Sequence, residues 1–240
     1  MKTQTLIAAA MFGLTALVAN AQITTNIGAT SNYVWRHMSY SAEDAAVSGG
    51  LDYSHESGFY AGTWTSSMDG QAEIDLYAGY GSAFNDSSSY DIGVIRYDYT
   101  GPGDDAYYEL YGSVELSGFT IGGAYSFGSD VDDTAGQEIF IDGDIYIYGS
   151  YTLDLADKIG EGYSLTGTVG KYFFEDDGVG GVDLDYTHFL VDLAKDLGDY
   201  GTVTLSGSFA TSEFEGVAAV GGLNGGRDDA MFFVSWGKEF

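Results

Sequence analysis

From residue 23 onward the chain alternates. Ile23, Thr25, Ile27, Ala29, Ser31, Tyr33 and Trp35 fall on one side of an extended backbone. Thr24, Asn26, Gly28, Thr30, Asn32, Val34 and Arg36 fall on the other. A period of two, apolar on one side and polar on the other, marks a strand lying between two environments. The pattern returns along the whole chain. Its apolar sides are Val47/Leu51/Tyr53, Ile74/Leu76/Tyr80, Tyr108/Leu110/Val114, Phe119/Ile121/Tyr125, Ile145/Ile147/Tyr151, Tyr163/Leu165/Val169, Phe189/Val191/Leu193, Val203/Leu205/Phe209 and Phe232/Val234/Trp236. Residues 59–68 and 90–99 are strand-like but ambiguous in parity. Tyr60/Gly62/Trp64 and Ile95/Tyr97/Tyr99 are the expected apolar sides there, the second choice keeping Arg96 off the apolar face. The sum is twelve strands and, beyond the N-terminal segment, no helical period.

The connections sort into two kinds. Residues 55–58, 85–89, 117–118, 156–162 and 196–201 are mostly short turns; residues 129–143, 175–185 and 211–229 are long and acidic. The sole proline, Pro102, falls between strands five and six, where it removes no ladder donor. Short turns on one rim and long loops on the other predict an up-and-down antiparallel transmembrane β-barrel with both termini on the periplasmic side. A soluble sandwich also alternates. The barrel is preferred for three reasons: strands of about 9–11 residues suit a tilted bilayer crossing, apolar sides often end in aromatic residues as an interfacial girdle requires, and the wet side, rich in Gly, Ser, Thr, Tyr and Asp, suits a lumen. Closure also leaves no unpaired edge in lipid.

Composition narrows the function classes. The 240 residues carry 8 Lys+Arg against 36 Asp+Glu, a net charge of −28, and no Cys. Disulfide scaffolds and thiolate chemistry are excluded, and phosphate-backbone recognition lacks the cations it needs, so no nucleic-acid partner is expected. At the N-terminus, Lys2 precedes an uncharged apolar run at residues 6–18 and then Ala19-Asn20-Ala21. This is a secretory signal pattern, too short to span a bilayer, which takes about 20 residues. Cleavage is expected between Ala21 and Gln22, with residues 1–21 removed and residues 22–240 forming one barrel domain. Phe232, Val234, Trp236 and Phe240 share one side of the last strand. This aromatic ending is similar to the C-terminal signal by which bacterial barrels are recognised for outer-membrane insertion.

Three stretches carry a resemblance. Ser31-Asn32-Tyr33-Val34-Trp35-Arg36, the segment from Gly49 through His55 to Trp64, and Tyr97-Asp98-Tyr99-Thr100-Gly101 resemble the TorF-type porin family of proteobacteria. In that family the first motif is usually followed by Gly; here His37 stands in its place, so the turn after it is expected to differ. The resemblance implies an outer-membrane porin and names no solute.

Candidate chemistry follows from parity. Asp52, Asp75, Glu109, Glu115, Asp144 and Asp154, with Arg36 and Arg96, are expected to line the lumen. Confined carboxylates favour cations; equally, the arginines could pair with them and fill a narrow bore, since twelve strands lie between filled and open barrels. Asp130, Asp132, Asp176 and Asp183 in the acidic loops are weak Ca²⁺ candidates without EF-hand spacing, and a solvated surface is the simpler reading. His37, beside Ser39 and Ser41, raises an outer-membrane lipid hydrolase, but sequence nearness does not make a triad. These residues point to a non-enzymatic, cofactor-free monomeric channel for small hydrophilic solutes, mildly preferring cations, in the outer membrane of a Gram-negative bacterium. Its partners are lipid, lipopolysaccharide and, during biogenesis, the barrel-assembly machinery. The alternative is a closed structural or adhesive barrel.

Overall fold

A computed structural model describes residues 21–101, 106–131, 139–175, 184–211 and 230–240. Most of the expected signal peptide, Pro102, Asp132, Asp176 and Asp183 lie outside the described residues. Twelve antiparallel strands close on themselves: β1 (Gln22–Thr30), β4 (Ala46–Ser54), β5 (Phe59–Ser67), β6 (Ala72–Asn85), β7 (Ser88–Tyr99), β8 (Tyr107–Leu116), β9 (Phe119–Phe127), β10 (Ile145–Asp154), β11 (Tyr163–Phe173), β12 (Tyr186–Asp196), β13 (Thr202–Ala210) and β14 (Met231–Glu239). Each pairs with its neighbour in sequence, and β14 returns to β1 through Asn26↔Glu239 to Thr30↔Ser235. Closure satisfies the ladders of both terminal strands, so among the described residues the barrel wall presents no open edge.

The alternation works as the sequence implies. Ile23, Val47, Ile121 and Phe232 are all more than 60% exposed and stand on the outside, while Thr24, Thr166, Thr204 and Ser206 are buried on the inside. Phe232, Val234 and Phe240 are exposed on the outer side of the closing strand, and Trp236 donates its indole N–H to the Tyr200 carbonyl at 2.8 Å. Aromatic pairs gather at the strand ends: Phe59–Tyr80 and Phe119–Tyr151 on the short-turn rim, Tyr108–Phe127 and Phe209–Phe232 on the other. Turns on the first rim are tight. Ser117 and Gly118 both have positive φ, the left-handed pair that suits a two-residue hairpin between right-twisted strands.

Three expectations are corrected. In β5 it is Phe59 that stands outside, 62% exposed, whereas the Tyr60 and Trp64 side is turned inward, Tyr60 bonding to Asp91. In β7, Ile95 and Tyr97 are buried inside while Ile92 and Val94 are exposed. Arg96 shares the outer face with those two and does not line the lumen. It bonds to Asp98 at 2.6 Å and to the Tyr108 hydroxyl at 2.7 Å, at the long-loop end of the wall. The reason is the same in both strands: the inward side is itself aromatic, so hydrophobicity does not separate the faces.

The third correction concerns the first strand. It stops at Thr30. The chain then turns into the barrel and forms a small hairpin, β2 (Val34–Trp35) and β3 (Met38–Ser39). Tyr33, His37, Met38 and Tyr40 are buried, so Tyr33 and Trp35 belong to the interior rather than to an interfacial girdle.

Candidate functional site

The hairpin turns on Arg36 and His37, whose φ values are 47° and 67°. A two-residue turn of this hand asks for Asn-Gly or similar, and each left-handed non-glycine residue costs of order 1–2 kcal/mol. The glycine that the resemblance leads one to expect at 37 would sit there without strain. His37 is held instead by contacts on all sides. Its Nδ1 lies 2.7 Å from the Ser208 hydroxyl of β13, and its ring stacks 6.4 Å from that of His188 in β12. The Arg36 carbonyl accepts from the Tyr186 hydroxyl at 2.6 Å. Strain of this kind persists where surroundings over-determine it.

Arg36 is the anchor. Its two terminal nitrogens donate to both oxygens of Glu109 in β8, at 2.6 and 2.8 Å, a bidentate charge-assisted pair. One of them also donates to the Tyr172 hydroxyl at 2.9 Å. The guanidinium lies 3.9 Å from the Trp35 ring centroid and 4.2 Å from that of Tyr146. Burial alone would pull this guanidinium down; the charge of Glu109, together with Tyr172, outweighs it and holds Arg36 above its ordinary value, so it stays charged. Burial likewise pushes the Tyr33 and Tyr40 hydroxyls up, with Glu73 adding to it, which keeps them neutral. Tyr33 donates to Glu73 of β6 at 2.7 Å. The hairpin is thus tied to β6, β8, β11, β12 and β13.

Around it the outer half of the lumen is packed with rings. Tyr97 stacks on Tyr107 at 4.7 Å, and Tyr107 on Phe140 at 4.9 Å. Tyr172 stacks on Phe174 at 4.3 Å. Asp144 is buried at the same rim. It accepts backbone N–H bonds from Phe140, Ile141 and Glu175, tying two outer loops together.

The half toward the short turns, periplasmic in the expected orientation, is different. Its inward side carries Thr24, Asn26, Asp52, Ser54, Ser150, Thr152, Ser164 and Asp192. Asp52 accepts from Asn26 at 3.2 Å and from the Tyr77 hydroxyl; Asp192 accepts from Ser206 at 2.6 Å. The tyrosines at mid-height lie flat against the wall. Tyr77 sits over Gly62, its register partner, where a Cβ would come within 2.5 Å of the ring. Tyr111 lies over Gly93 in the same way, at 2.3 Å. Glycine therefore spares the bore the width of an aromatic ring.

The expected lining residues thus separate. Asp52, Asp75 and Glu109 point inward from strands, and Arg36 reaches the lumen from the hairpin rather than from β1. Glu115 lies on the inward register at the periplasmic mouth, exposed. Asp154 accepts the Ala156 N–H at 2.8 Å and shapes a periplasmic turn. Asp130 is exposed, and among the described residues no three acidic or histidine side chains converge on a metal position. His37 faces the interior, not the lipid side where a hydrolase of membrane lipid would need it. Sequence reasoning missed Asp91, Asp192 and the aromatic set around Asp75. The usable signal was the loss of alternation after Arg36-His37.

Comparison with known proteins fits this geometry. The Gcw_chp family profile, described as a bacterial protein of unknown function, matches residues 17–122. That window contains all three stretches of the TorF-type resemblance, though its description does not name that family. No curated protein matches the chain. Among solved structures, the KdgM porin superimposes with a TM-score of 0.56 at 7% identity, covering 90% of this chain and 98% of that one. A KdgM porin in complex with disordered oligogalacturonate gives 0.54 at 8% identity, with 91% and 97% covered. The NanC porin gives 0.50 at 13% identity, with 90% and 98% covered. The fold is that of a porin-like outer-membrane β-barrel.

Proposed function

We propose that the protein is a channel of a Gram-negative outer membrane, passing small hydrophilic solutes by diffusion with a mild preference for cations. The observation that carries this reading is the division of surfaces. A continuous apolar outside suits lipid, and a polar, hydroxyl- and carboxylate-lined inside suits water. Full-length similarity to porins supports it. Among the described residues, the inward acids Asp52, Asp75, Asp91 and Asp192 have no cation of the wall opposite them; the interior cation, Arg36, is committed to Glu109. An acidic lumen attracts cations and raises their local concentration. One KdgM structure holds oligogalacturonate, whose units each bear a carboxylate. Sugar acids are therefore not the solutes proposed for this chain.

The same reading places residues 1–21 as a cleaved signal peptide and the carboxy-terminal aromatics as the insertion signal. It also takes the working unit as a monomer embedded in lipid and lipopolysaccharide. A closed structural barrel is favoured by one observation, the ring-filled outer half. Planar-bilayer recording on the refolded residues 22–240 decides between the two. Steady steps with a reversal potential favouring K⁺ over Cl⁻ are expected; persistent silence with heat-modifiable, folded protein rejects the channel in favour of the closed barrel.

A further inference from the structure

Asp75 is the least explained group inside the barrel. It is 1% exposed, and neither carboxylate oxygen has a hydrogen-bond partner among the described residues. A buried carboxylate left so carries a penalty that proteins ordinarily offset with a counter-charge or donors. Nearly every other inward acid has at least one: Glu109 has Arg36, Glu73 has Tyr33, Asp91 has Tyr60, Asp192 has Ser206.

The surroundings are aromatic. Register places Trp64 of β5 directly opposite Asp75 on one side and Tyr97 of β7 on the other. The hairpin supplies the roof. Tyr33 packs edge-on against Trp64 at 5.8 Å between centroids, and Trp35 packs against Tyr97 at 5.6 Å. A carboxylate with two unsatisfied oxygens, flanked by the aromatic residues Trp64 and Tyr97, brings together the two components that recognise an organic cation: cation–π attraction and charge-assisted acceptance of N–H bonds. An ammonium bears three N–H donors and no acceptor, which matches the empty acceptors of Asp75. A potassium ion or a quaternary ammonium would leave that hydrogen-bonding capacity unused.

We propose that this box binds the primary ammonium group of a small alkylamine, with Asp75 as counter-ion, Trp64 and Tyr97 as walls, and the hairpin rings as cover. The proposal names a solute class for the channel reading and rests on it for passage. Binding itself does not require conduction, so the two fail separately.

Two of the three tryptophans, Trp35 and Trp64, border the box, so their emission reports occupancy. The test titrates the folded chain, in a neutral maltoside detergent at constant ionic strength, with ethylammonium chloride. Potassium chloride and tetramethylammonium chloride serve as references. A saturable change with ethylammonium is expected, weakened at least about tenfold by Asp75→Asn, which removes the charge while keeping the shape. Glu115→Gln, at the open mouth, should bind as the parent does. Retained gel mobility without heating shows that each variant is folded, and Asp75→Glu provides a second folded variant expected to keep ammonium selectivity. The proposal is overturned by a linear, non-saturating response. It is overturned equally by undiminished binding in Asp75→Asn, or by references that act as strongly as ethylammonium. A silent bilayer with intact binding would reject the channel and leave the box.

Discussion

The two halves of the lumen are built by opposite rules. The outer half is crowded: a strained hairpin, a bidentate ion pair and stacked rings narrow it. The periplasmic half carries short polar side chains, and its tyrosines lie back onto glycines instead of reaching across. Twelve strands enclose both halves, so strand number does not decide whether a barrel is filled. What decides it is where the connection after β1 goes. That connection is of intermediate length, and it carries the cation and the rings that the outer wall is shaped to receive.

The comparison breaks most directly if the hairpin is removed. Replacing residues 33–40 by a short Gly-Ser turn should raise single-channel conductance several-fold, because the constriction lies there. No change would place the constriction in the periplasmic half. Next in size is Glu109→Gln, which strands the buried charge of Arg36. Losing one partner of a buried pair costs about 3–5 kcal/mol, so a marked fall in the urea midpoint of the folded barrel is expected. Asp52→Asn in the periplasmic half keeps its shape, and removing a charge from a hydrogen bond there should cost about 1–2 kcal/mol. Equal costs would erase the contrast between the halves. Gly62→Ala sharpens it from the wall side: the added methyl meets the Tyr77 ring, and overpacking of this sort costs about 1–3 kcal/mol while driving the ring into the bore and lowering conductance. The smallest effect is expected from Glu115→Gln at the periplasmic mouth. It should shift the reversal potential slightly toward Cl⁻ in dilute salt. The shift should vanish near 1 M salt, where charges are screened within about 3 Å.

The wall was legible because its two sides meet different media over nearly its whole length. Val47, Ile74, Leu110, Ile121 and Val191 could be assigned without any knowledge of pairing, and twelve such stretches imply closure. β5 and β7 resisted because Trp64, Ile95 and Tyr97 look inward at other rings. Periodicity reports the environment of a side chain, not which side of a wall it stands on. Arg96 shows the cost of the opposite assumption: a charge can stand outside when Asp98 and Tyr108 meet it at the interfacial rim. The hairpin was hidden for a different reason. Residues 31–36 continue the alternation of β1 with no interruption, although the backbone has already left the wall. The hints were local, in the Arg36-His37 pair and in the polar run of Ser39, Ser41, Glu43 and Asp44 after it. The partners that hold Arg36 and His37, namely Glu109, Tyr172, Tyr186 and Ser208, lie between 73 and 171 positions away, beyond the reach of a local pattern.

The tethers of the hairpin also set an order of events. Residues 33–37 fasten to strands lying later in the chain, up to β13, and β1 itself must join β14. The plug finds its first partners in β6 and β8, but its full set of contacts waits for β11, β12 and β13. Its last tether is His37 on Ser208 of β13, so a barrel in which that contact is made is one whose circumference lacks at most its final strand.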